Sequence, residues 1–108
     1  MNKMSVKLGK DNFETNVLKE EKPVLVDFYS DSCIPCKRLS PILADLEDTY
    51  GDKIIVGKVN VLFEQELVEK YDIISSPTVL LFKQGEIKEK FVGKIQKDDL
   101  VEIIEKNI

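Results

Sequence analysis

The chain has 108 residues, 43% hydrophobic and 33% charged, with few glycines and prolines, a composition that excludes disordered and fibrous classes and fits one ordinary globular domain over 1–108. Its net charge of −4 comes from 20 acidic and 16 basic residues in short mixed runs such as Lys19-Glu20-Glu21-Lys22, which argues against nucleic acid as a partner. No apolar stretch approaches the roughly 20 residues that span a bilayer, and Met1 to Lys10 lacks the apolar segment of a secretory leader. A cytoplasmic setting, no membrane partner and a monomer are therefore expected, with disorder confined to the first few residues.

In chain order, Asp11-Asn12-Phe13-Glu14 sets a carboxylate three positions after a good cap, and Phe13 and Val17 fall one turn apart. That pattern predicts a first helix over roughly 11–20, closed by Pro23. Val24-Leu25-Val26-Asp27-Phe28-Tyr29 is a nearly continuous apolar run, as in a strand covered on both faces. Leu39, Ile42, Leu43, Leu46 and Tyr50 then recur at helical spacing up to Gly51, so the Cys33 to Cys36 segment opens a long helix. Pro41 inside it predicts a kink. Ile54 to Val61 reads as a second buried strand, and Leu67, Val68 and Tyr71 mark a short helix. Thr78 to Phe82 and Ile87 to Val92 flank Gln84-Gly85, a hairpin turn signal. From Lys97 onward, Leu100, Ile103 and Ile104 share one face of a final helix. This alternation predicts an α/β domain with a central mixed β-sheet flanked by helices on both faces.

Cys33-Ile34-Pro35-Cys36 puts two sulfurs about one turn apart at a helix start, where unpaired backbone N–H groups and the helix dipole favour a thiolate. Cys33, nearer the helix end, is the expected nucleophile, attacking a substrate disulfide to form a mixed disulfide that Cys36 resolves. Pro35 limits backbone freedom between the sulfurs, and Lys37 adds positive charge nearby. Two other readings compete. Structural zinc needs further ligands, and the chain has no histidine and no third cysteine, so no metal is expected. A structural staple closing so short a loop contributes about 2 kcal/mol in the loop-entropy model and meets a reducing cytosol. The chain also lacks a glycine-rich phosphate loop. No cofactor is expected, and electrons must come from another protein.

Asp27 interrupts the most apolar strand, where an unpaired carboxylate is costly and has a raised pKa. It is read either as a buried proton acceptor near the sulfurs or as a side chain pointing outward at the strand end. Lys58, within Ile54-Ile55-Val56-Gly57-Lys58-Val59, is the same puzzle with opposite charge, and on its own reads more readily as a snorkelling surface lysine. Ser75-Ser76-Pro77-Thr78 precedes a strand. A proline there is most often a plain turn or edge device, and the sequence gives no physical ground for a cis bond.

Assembled in order, these residues resemble the thioredoxin family from about Val6 to Ile108. Val24-Leu25-Val26-Asp27-Phe28-Tyr29 resembles the family's strand ahead of the active site, and Cys33-Ile34-Pro35-Cys36-Lys37 with Pro41 its active-site helix. Lys58-Val59-Asn60-Val61 is similar to the lysine-bearing strand, Ser76-Pro77-Thr78 to the cis-proline loop, and Phe91-Val92-Gly93 to the glycine turn. The resemblance implies a thioredoxin fold with a four- or five-stranded mixed sheet. It also implies that Asp27 assists proton transfer at Cys36, that Lys58 tunes Asp27, and that Ser76, Pro77 and Gly93 help line the substrate groove. The implied partners are a thioredoxin reductase and oxidised target proteins. Two departures stand out: Ser32 replaces the tryptophan of the family's usual Trp-Cys-Gly-Pro-Cys, and Ile34 replaces its glycine, in a chain with no tryptophan. Both positions bear on substrate and reductase choice. The leading expectation is a disulfide reductant; an oxidant or isomerase, and a non-catalytic binding module, are the alternatives.

Overall fold

The computed structural model describes residues 5–108; the expectation of disorder at the first few residues, and the reading of Met1–Met4, lie outside them. Five strands form one mixed sheet: β1 (Val6–Lys7), β2 (Val24–Tyr29), β3 (Ile55–Asn60), β4 (Thr78–Lys83) and β5 (Glu86–Val92), in the order β1-β3-β2-β4-β5. β1, β3 and β2 run parallel, whereas β4 is antiparallel to both β2 and β5. The continuous apolar run of β2 thus marks the central strand, paired on both sides and buried from Val24 to Phe28.

Alternating residues of that run feed two cores, as the two-residue period of a strand requires. On one face Leu25, Val56, Val79 and Leu81 pack with Leu39, Leu43 and Leu46 of α1 (Ile34–Tyr50) and with Leu100 and Ile104 of α3 (Lys97–Asn107). On the other, Val24, Val26, Phe28, Leu80 and Phe82 pack with Phe13, Val17 and, from α2 (Gln65–Lys70), Leu67. The central mixed sheet and its two-sided helical cover are as the sequence predicts. α1 continues through Pro41 to Tyr50.

The first helix is the exception. In place of a helix over 11–20, residues Glu14–Leu18 form one π-wound turn with no side-chain cap, closed by Lys19 N–H to the Glu14 carbonyl at 2.9 Å. The preceding residues are committed to a turn instead: Asn12 accepts the Gly9 N–H at 2.8 Å and donates to the Lys7 carbonyl at 2.9 Å. The apolar pair still packs, with Phe13 edge-on to Phe82 at 5.7 Å between ring centroids. β1 is only two residues long and has no sequence pattern of its own; pairing with β3 defines it. The β4–β5 hairpin turns at Gln84 and Gly85, both with positive φ (53° and 79°), the backbone that a two-residue hairpin loop demands.

Candidate active site around the Cys33–Cys36 disulfide

β2 ends at Tyr29, and the chain crosses Ser30–Ser32 before entering α1. Cys33 is the N-cap of α1, with extended backbone (φ −90°, ψ 118°), and its sulfur accepts the Cys36 N–H at 3.1 Å. The two cysteines are joined as a disulfide, their Cα atoms 5.2 Å apart. Cys33 is half-buried while Cys36 is only 5% exposed, so an incoming sulfur can approach the first and not the second. Both the helix dipole and the Cys36 N–H place positive potential on the Cys33 sulfur, the environment that stabilises a thiolate. Pro35 occupies the first turn, where its missing N–H costs nothing. Ile34 stands 64% exposed beside Cys33, and Ser32 is exposed, its hydroxyl 3.2 Å from that of Ser30.

The antiparallel β4 begins at the same end of the sheet. Its approach contains a cis bond between Ser76 and Pro77, which the sequence physics alone did not predict and the family resemblance did. The Ser76 carbonyl oxygen lies 3.4 Å from Cys33 Sγ, within reach of a thiol proton once the disulfide is reduced. Thr78 Oγ1 donates to the Ser75 carbonyl at 2.7 Å, and Gly93 N–H donates to the Pro77 carbonyl at 3.0 Å. These bonds fix the Ser76-Pro77 loop against the sulfurs and bring Gly93 beside it.

Beneath Cys36 lies a cavity of about 180 Å³ lined by Asp27, Tyr29, Asp31, Cys36, Ser40 and Lys58, among others. Asp27 does not point outward: it is 1% exposed, and its Oδ1 has no hydrogen-bond partner among the described residues. Burial pushes its carboxyl up from 3.8 to about 6, against the opposing field of the Lys58 ammonium. Lys58 is the parallel-register neighbour of Asp27 on β3, so both side chains leave the sheet on the α1 face. It is half-buried; its Nζ donates to Ser40 Oγ at 3.1 Å and sits 5.8 Å from the Tyr29 ring centroid. Asn60, buried at the end of β3, donates to Asp31 Oδ2 at 3.4 Å and accepts the Leu62 N–H at 3.0 Å, tying the loops after β2 and β3 together.

Every site residue singled out in the sequence therefore gathers at one end of the sheet. Ser40, Thr78 and Asn60 had no role assigned from sequence. Ser40 carried a usable signal, since it falls four residues after Cys36 and so on the same helix face. Among the described residues, no group of three or more cysteine, aspartate or glutamate side chains converges where a metal could be held.

A dithiol–disulfide pair at a helix N-terminus, above a buried carboxylate and at one end of the central strand of a mixed α/β sheet, defines a thiol-disulfide oxidoreductase. The sequence comparisons agree with the geometry: the family profile described as Thioredoxin matches residues 4–106. The chain is 45% identical to a thioredoxin of Rickettsia bellii over 97 residues, covering 90% of this chain and 92% of that one. It is 41% identical to a thioredoxin of Buchnera aphidicola over 108 residues, covering 100% and 99%, and 41% identical to one of Acidithiobacillus ferridurans, covering 91% of each. The chain belongs to the thioredoxin family, and Cys33 and Cys36 are its redox-active pair.

Proposed function

We propose that this chain, acting as a single-domain monomer in the cytoplasm, reduces disulfides of oxidised target proteins and is itself re-reduced by a thioredoxin reductase. The Cys33 thiolate attacks one sulfur of the target cystine; a Cys33–target bond forms as the target S–S bond breaks, and the released target thiolate takes a proton. Cys36 gives its proton to Asp27 and attacks Cys33 Sγ, forming the Cys33–Cys36 disulfide and expelling the second target thiolate. Two electrons pass to the target, and a dithiol donor protein must return them. Lys58 tunes Asp27, while Ser32, Ile34, Pro35, Ser76, Pro77 and Gly93 contact the docked target. The observation that carries this reading is the difference in access: a half-buried Cys33 in front of a buried Cys36, with Asp27 beneath.

The test is insulin disulfide reduction by dithiothreitol, with and without the protein. Strong acceleration is expected, abolished by Cys33→Ser, while Cys36→Ser accumulates the mixed disulfide. No acceleration by the native chain overturns the reading. Ile34, exposed between the cysteines, favours weighing the oxidant or isomerase alternative. A reduction potential near about −270 mV marks a reductant, whereas one above roughly −200 mV marks an oxidant or isomerase.

Partner choice follows from what surrounds the sulfurs. Among the described residues, the exposed large apolar side chains include Ile34 between the cysteines, Ile74 two residues before Ser76, and Val92 next to Gly93. Together with Ser32 in place of tryptophan, they support a dedicated reductase; efficient turnover by several unrelated thioredoxin reductases sinks that part of the proposal.

A further inference from the structure

Lys58 is the one cation whose field acts on Asp27, yet no ion pair joins them among the described residues. Its ammonium is held from the opposite wall of the cavity, by the Ser40 hydroxyl at 3.1 Å. Ser40 sits one turn after Cys36 on α1, and both line the cavity that Lys58 enters. A lysine on a half-buried strand position has a flexible stem and finds its lowest free energy with the ammonium in water unless a partner holds it. Asp27 Oδ1 has no hydrogen-bond partner among the described residues, and the Tyr29 ring, its centroid 5.8 Å from the ammonium, adds a cation–π contact but no hydrogen bond, so the Ser40 hydroxyl is the hydrogen-bonding partner.

We propose that Ser40 is a positioning residue for the proton transfer: its hydroxyl tethers the Lys58 ammonium inside the cavity shared by Asp27 and Cys36. The tether keeps a positive charge beside the buried carboxylate, where it opposes the upward push of burial and favours the ionised form that accepts the Cys36 proton. The other groups facing Asp27 do not substitute for it. On α1 these are Cys36 and the exposed Lys37, whose charge does not act appreciably on Asp27, and at and beyond the end of β2 Tyr29, Ser30 and Asp31. On β4 the register neighbour is the apolar Val79. Asp31 is engaged by Asn60 and carries the opposite charge. This proposal rests on the role given to Asp27 above.

The test is the Asp27 carboxyl titration in the oxidised protein, followed by carbon-13 NMR, with the pH profile of insulin reduction measured in parallel. Lys58→Met raises the Asp27 midpoint by about one pH unit, as removal of a neighbouring opposite charge does. Ser40→Ala raises it in the same direction by about half as much, Ser40→Thr restores the native midpoint, and the double variant Ser40→Ala with Lys58→Met titrates like Lys58→Met alone. The alkaline shift appears in the rate profile as well. A Ser40→Ala midpoint that stays at the native value, that falls, or that adds to the Lys58→Met shift overturns the tether. A rate profile insensitive to Asp27→Asn, with the NMR shifts as expected, leaves the tether standing and removes Asp27 from the proton transfer instead.

Discussion

Asp27 shows how one residue can be costly for the fold and suited to the chemistry. Its carboxyl titrates at about 6 in the folded chain against 3.8 when free, with burial as the first cause. The folded state therefore binds the Asp27 proton more tightly than the unfolded state does. Stability linked to that proton is fully present below about pH 4 and is lost as pH rises through about 6. Replacing Asp27 by Asn removes the loss: the variant gains up to roughly 3 kcal/mol at pH 7.5 and almost nothing at pH 4. Urea midpoints at the two pH values check this, and an equal gain at both pH values refutes the burial argument. If Asp27 takes the Cys36 proton as proposed, the same variant slows insulin reduction at neutral pH. At the adjacent sulfur Ile34 and Ser32 were read from sequence as departures from the family pattern, and the structure leaves both exposed on either side of Cys33.

At the scale of elements, β3 runs close beneath the segment that follows β1. A methyl group built on Gly57 would overlap the buried Leu8 side chain, so Gly57→Ala is expected to destabilise by about 1–3 kcal/mol, the usual cost of overpacking. Chemical denaturation measures it, and a neutral substitution would mean that the β1 segment yields without cost. In α1, Leu43 is fully buried against the sheet. Truncation to alanine is expected to cost about 2–5 kcal/mol, while Cys33 keeps its place at the N-cap and insulin reduction persists below the lowered melting temperature. The elements legible in the sequence were those with a strong period: β2 from its apolar run, α1 and α3 from residues three and four apart, and the hairpin from Gln84-Gly85. The first helix was misjudged because Asp11-Asn12-Phe13-Glu14 matches a capping pattern, whereas Asn12 satisfies Gly9 and Lys7 instead. Local polar groups can serve a turn as well as a helix, and the sequence does not say which partner is nearer.

For the whole molecule, the redox state is itself a stability variable. A disulfide closing so short a loop contributes about 2 kcal/mol in the chain-entropy model, so reduction is expected to lower the melting temperature by roughly 10 °C or less. Calorimetry with and without excess reductant checks this, with Cys36→Ser as the reference. A reduced form melting higher than the oxidised one would contradict the model. No helix among the described residues is long and apolar enough to cross a membrane.

By itself the sequence determined the redox pair, its position at a helix start, the two-sided cover of the central strand and, through resemblance, the family. These are local or periodic properties, carried by spacing along the chain. Only the tertiary structure decided the environment of the charged groups. Whether Asp27 faces water or the space beneath Cys36, and whether Lys58 reaches solvent or is held by Ser40, depends on strands 31 residues apart lying in register and on a helix packed across them. Burial and distance belong to that packing, and they set the energy of a charge.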